Sequence, residues 1–136
     1  MLLVVDANIV LSALTAGRIT DLLLSPKLEL VAPDLLFTEV WKHKDEIRDK
    51  SKLGAEDFET LLTLLKKNIK IISMGEFSAL MPQAEEMLGE HKKDAPYVAL
   101  ALKLGCPFWT YEKRFADMGD IKSLTTSDVV KLIKSE

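Results

Sequence analysis

The chain has a single cysteine, two histidines and no long apolar run, and each scarcity excludes a class of protein. Cys106, flanked by apolar residues and Pro107, cannot form an internal disulfide and reads as a small core residue suited to a reducing interior. His43 and His91 do not have the spacing of a zinc motif, so neither is assigned as a ligand. No stretch approaches the ~18 apolar residues of a membrane span. Asp6 also interrupts the first apolar run before it can serve as a signal peptide, so a cytoplasmic protein with no membrane partner is expected. An excess of one charge is missing too. The 18 Lys and Arg stand against 21 Asp and Glu, and a formal charge of -3 exerts no global pull on nucleic acid. An anionic partner would need local basic patches or bound cations.

What remains is a chain of 136 residues, 48% hydrophobic, which matches one domain able to bury a core without staples. No repeat, low-complexity segment or linker divides it, so residues 1–136 are read as one unit. Leu2 to Val5 reads as a buried strand feeding a helix over Ile9 to Leu14. A short helix before Pro26, a second strand over Leu28 to Val31 and a helix opened by Pro33-Asp34 through about His43 repeat the pattern. Lys44 to Lys67 reads as a helical hairpin whose Phe58, Leu61, Leu62 and Leu65 share one face. That face either packs on its own sheet or forms a dimer seam or the seat of a partner helix. A strand over Ile69 to Ile72, helices near Glu76 to Leu88 and Ala95 to Leu104, and a short strand over Pro107 to Trp109 follow. A short strand near Ile121 to Leu124 and a helix from about Ser127 finish the chain. The expected class is α/β, a central parallel sheet flanked by helices.

Several polar residues sit where such a fold gathers its chemistry, beyond the carboxyl ends of strands. Asp6 ends the first strand, and Asn8, two residues on, faces the same side if extended geometry continues; helix capping is the competing role for both. Glu39 interrupts the inward face of its helix between Leu35 and Leu36, with His43 and Val40 alongside. It either meets a cation, a hydrogen-bond network or cleft water, or lies partly exposed near the helix start. Asp94 precedes the almost wholly apolar helix APYVALALKL, where it can act as an N-cap with Pro96 harmless in the first turn. Thr110 and Glu112 follow the fourth strand, although Glu112 can equally pair with Lys113 or Arg114. Carboxylates gathered in one place raise one another's pKa unless a divalent ion neutralises them, and oxygen-only donors suit Mg²⁺ or Mn²⁺.

In this order, VVDANIV, PDLLFTEV, KKDAPYVALAL and WTYEKRF resemble the motifs of the PIN-domain family, especially the small archaeal and bacterial VapC-type metal-dependent ribonucleases. The resemblance runs over nearly the whole chain. It implies a single-domain α/β fold and an acidic pocket in which Asp6, Glu39, Asp94 and Glu112 are catalytic and hold one or two Mg²⁺ or Mn²⁺ ions. Asn8 and Thr110 would support them by hydrogen bonding. It implies endonucleolytic cleavage of RNA, single-stranded by expectation, by metal-activated water, with a homodimer and a cognate antitoxin as candidate partners. Lys42, Lys44, Lys92, Lys93, Lys113 and Arg114 are the candidate RNA contacts, against ordinary solvated charge for about half of them. One departure stands out: Glu112 occupies a position where the family has Asp, and its extra methylene repositions the carboxylate; Asp117 lies too far along to substitute for it.

Rival classes fit less well. A haloacid-dehalogenase-type phosphatase needs a second acid where Asn8 stands, and a receiver domain needs an adjacent acidic pair that is missing. The remaining alternative is a PIN-like RNA- or protein-binding module with a degenerate nuclease site.

Overall fold

The computed structural model describes residues 1–16, 19–112 and 119–135. Lys113, Arg114 and Asp117 therefore lie outside the described residues. Five strands, β1 (Leu2–Val5), β2 (Glu29–Pro33), β3 (Ile69–Ile72), β4 (Phe108–Trp109) and β5 (Ser123–Leu124), form one sheet in the order β3-β2-β1-β4-β5. Every neighbouring pair is parallel. The α/β reading of the sequence is correct. Helices α1 (Ala7–Ala16), α2 (Thr20–Leu23), α3 (Leu35–Lys42), α4 (Lys44–Lys50), α5 (Ala55–Asn68), α6 (Met81–Leu88) and α7 (Ala95–Leu104) connect the strands from β1 to β4, and α8 (Thr126–Lys134) follows β5. None among the described residues is long and apolar enough to cross a membrane.

β1 is central and almost dry: Leu3, Val4 and Val5 are fully buried, as a strand covered on both faces requires. Each such aliphatic side chain contributes about 1.5–3 kcal/mol of burial free energy. Its register pairs Leu3 with Leu30 on one side and Val5 with Trp109 on the other. The chain passes from β1 to β2 and β3 on one side, then crosses back to β4 and β5 on the other. The strand order reverses between β1 and β4, and at such a switch point the loops diverge and leave a crevice beyond the strand ends.

α7 packs across β1, β2 and β4. Ala95 to Ala101 is buried throughout, which explains why that helix is apolar nearly all round. Gly105 ends it in the left-handed conformation, φ 61°, and the next amide, of Cys106, returns to the Ala101 carbonyl at 3.2 Å. The α4–α5 hairpin forms as expected, and Phe58, Leu61, Leu62 and Leu65 are buried within the chain itself. Own-core packing thus occupies the face that was also a candidate dimer seam. One boundary differs. The helix expected from Glu76 starts at Met81, after two 3-10 turns, Met74–Glu76 and Ser78–Leu80. Pro82 in the first turn of α6 has no amide to offer to a preceding turn, so the helix begins there.

Candidate active site

Beyond the carboxyl ends of β1 and β4 lies a cleft of about 360 Å³, lined by Asp6, Asn8, Leu35, Glu39, Lys42, His43, Lys93, Asp94 and Glu112. All four carboxylates singled out in the sequence meet there, although more than a hundred residues separate the first from the last.

Asp6 is the floor. Its amide donates to the Trp109 carbonyl at 3.0 Å, continuing the β1–β4 pairing by one residue. Its carboxylate accepts the Thr110 hydroxyl at 2.7 Å, and Thr110 Oγ1 in turn accepts the Glu112 amide at 3.1 Å. The Asn8 amide also donates to the Asp6 carboxylate, so Asp6 caps α1 while facing the cleft, and the two competing roles are one. Asn8 supports Asp6 through its backbone, and its exposed side chain lies on the cleft wall. Despite two donors, Asp6 is only 6% exposed, and burial pushes its pKa from 3.8 up to about 6. The Thr110 bond and the Asn8 amide oppose this rise, and repulsion from Asp94 and Glu39 adds to it.

α3 brings Glu39 to the wall, with Leu35, Lys42 and His43 on the same side, as the 3.6-residue period requires. Half-burial raises the pKa of Glu39; a hydrogen bond from the Tyr97 hydroxyl at 3.2 Å lowers it, Asp94 raises it further, and Lys93 and His43 lower it. Asp94 occupies the N-cap position of α7, yet its side chain makes no capping hydrogen bond. The cap role favoured on local grounds is thus unfilled, and the carboxylate faces Asp6 and Glu39 closely enough to repel both.

The basic candidates divide. Lys42 and Lys93 line the cleft. Lys44 turns away: its ammonium pairs with Glu59 at 3.2 Å and sits 4.5 Å from the centre of the Trp41 ring. Lys92 is exposed and does not line the cleft. Sequence reasoning missed Tyr97. Its ring is fully buried and stacks on Phe108 with centroids 5.8 Å apart, while its hydroxyl reaches Glu39. The available signal was a lone phenol in an aliphatic helix, since a buried hydroxyl has to find a partner.

Among the described residues, no three His, Cys, Asp or Glu side chains stand as a ready-made metal cage. The chemistry of the donor set nevertheless suits a hard divalent ion: it is all oxygen, partly desolvated and mutually repulsive, so a cation would relieve a cost the fold already carries.

No curated protein matches the chain. A chain in the crystal structure of VapBC2 from Rickettsia felis bound to a DNA fragment from their promoter superposes with a TM-score of 0.68 at 12% identity, covering 92% of this chain and 98% of that one. That likeness is one of fold. The model of the PIN domain matches residues 4–132, a span holding all four cleft carboxylates and all five strands except the first residues of β1. By that match over nearly its whole length, the chain belongs to the PIN-domain family.

Proposed function

We propose that this chain is a Mg²⁺- or Mn²⁺-dependent endoribonuclease of the VapC type, in which Asp6, Glu39, Asp94 and Glu112 hold one or two ions and hydrolyse RNA. The observation that carries the reading is the convergence of four carboxylates from separate segments on one cleft, with Asp6 almost wholly buried. Isolated carboxylates are not buried together without a compensating partner. A divalent ion in the cleft would supply an activated water and stabilise the departing 3′ oxygen, so no Ser, Cys or His nucleophile is needed. The chain's own contribution is placement. Thr110 and the Asn8 amide hold Asp6, α3 and the N-cap of α7 bring Glu39 and Asp94 to the cleft, and Lys42 and Lys93 on its lining offer charge to phosphates.

Likeness to a chain of a VapBC complex supports a toxin restrained by an antitoxin as the biological setting. The competing reading, a binding module with a degenerate site, draws on the lack, among the described residues, of a ready-made three-residue cage and on Glu112. One experiment decides between them. Chelator-treated protein is given Mn²⁺ and a panel of single-stranded RNAs, beside Asp6→Asn and Asp94→Asn. Cleavage restored by Mn²⁺ and lost in both variants is expected; Mn²⁺ binding without turnover of any RNA supports the binding module.

A further inference from the structure

The N-terminal turn of α7 carries one group that lines the cleft and one that reaches a residue lining it. Asp94 is at the cap position, and Tyr97, three residues on and so on the same side of the helix, sends its hydroxyl across to Glu39 Oε1 at 3.2 Å. We infer that Tyr97 is a positioning residue: its hydroxyl ties α3 to α7 and fixes the orientation of Glu39 and its spacing from Asp94. The inference rests on the ion-binding role of the cleft proposed above.

Three observations support it. Tyr97 is fully buried and its ring is stacked on Phe108 at an interplanar angle of 19°, so the hydroxyl is delivered from a rigid mount. A Phe would fill the same core space with no polar atom to satisfy, and the hydroxyl therefore costs desolvation unless its bond does something. Glu39, by contrast, is only partly buried, so the fold itself does not require this partner for it. What the bond provides is direction. With Oε1 engaged from below, the carboxylate of a side chain with several rotatable bonds is held in one orientation, and Asp94 on the same helix turn is held at a set separation. An ion shared between α3 and α7 would meet a preorganised pair, the usual contribution of a hydrogen bond to a ligating carboxylate.

A double-mutant cycle in Mn²⁺ affinity tests this, read by electron paramagnetic resonance on purified protein at one fixed pH, with no RNA present. Tyr97→Phe is expected to weaken Mn²⁺ binding about 10-fold or more, while Glu39→Ala and Glu39→Ala with Tyr97→Phe bind alike, because the strut has lost its target. Thermal melts of the four metal-free proteins monitor structure: a purely structural contribution of the hydroxyl lowers affinity equally in both backgrounds. Equal losses in both backgrounds, or a Tyr97→Phe protein that binds Mn²⁺ as wild type does, overturn the inference and leave the nuclease reading standing. Wild-type protein that binds no Mn²⁺ overturns both.

Discussion

Thr110 donates its hydroxyl to Asp6 across 2.7 Å, joining the ends of the two strands between which the sheet reverses its order. The bond is buried, and it lowers the pKa of a carboxylate that burial drives up. Thr110→Val keeps the shape and removes the donor. At neutral pH this variant is expected to lose about 1–3 kcal/mol of stability, the usual cost of stripping a buried charged acceptor of a partner. The loss shrinks well below about 6, the pKa of Asp6, where the carboxyl carries its own proton. Urea melts across that range measure it; a loss that persists at acidic pH belongs to the Glu112 amide, which also gives up its acceptor, and a loss with no pH-dependent part would show that the bond does not act on the charged form.

Asp6 destabilises the metal-free fold near neutral pH. Its pKa is about 6 in the folded protein against an ordinary 3.8, so the folded state binds more protons than the unfolded state between those values. Stability is full below 3.8, falls as pH rises through about 6, and stays low above it. At ~1.4 kcal/mol per pH unit the gap amounts to on the order of 3 kcal/mol. Asp6→Asn mimics the protonated form and keeps an acceptor for Thr110. In the presence of a chelator it is therefore expected to melt higher than wild type at pH above about 6 and alike at acidic pH. Added Mn²⁺ is expected to stabilise the wild type alone. An Asn variant less stable than wild type at every pH would refute the accounting.

The lysines make separable predictions. Lys42→Ala and Lys93→Ala, at the cleft, are expected to raise KM for RNA severalfold and to reduce its salt dependence. Lys44→Ala and Lys92→Ala are expected to leave KM near wild type. Lys44→Ala costs stability instead, through the lost Glu59 pair and the contact with Trp41. A KM effect of Lys44→Ala equal to that of Lys42→Ala would count against this division.

Glu112 lines the cleft and its amide is anchored on Thr110. Glu112→Gln is expected to weaken Mn²⁺ binding and cleavage, with Glu112→Asp retaining more of both because the charge remains. If neither substitution changes affinity or rate, Glu112 is a wall residue and three carboxylates carry the site.

Much of this arrangement was legible in the residues themselves. β1 and β3 were readable as short β-branched runs, and the α4–α5 hairpin as an apolar stripe between charged segments. The start of α6 was misjudged because the apolar Phe77 and Leu80 continue a helical pattern, although Pro82 marks where the helix can begin. At the site, Asp6 and Glu39 were visible as interruptions of apolar patterns and Asp94 and Glu112 as acids beside apolar elements, but their local roles were not: Asp6 caps α1 and Asp94 leaves its cap unfilled, a difference set by tertiary neighbours. Tyr97 was hidden for the same reason, since period and burial account for its ring and only the fold shows where its hydroxyl goes.

The placement of β1 in the middle of the sheet governs how the molecule comes into being. As the chain leaves the ribosome, β1 can pair with β2 early, but its other edge must wait for β4, which begins only at Phe108. Until then the hydroxyl that secures Asp6 is absent, and Glu112 has not been synthesised. The cleft of four carboxylates therefore assembles only after β4 has joined the sheet and the chain has reached Glu112.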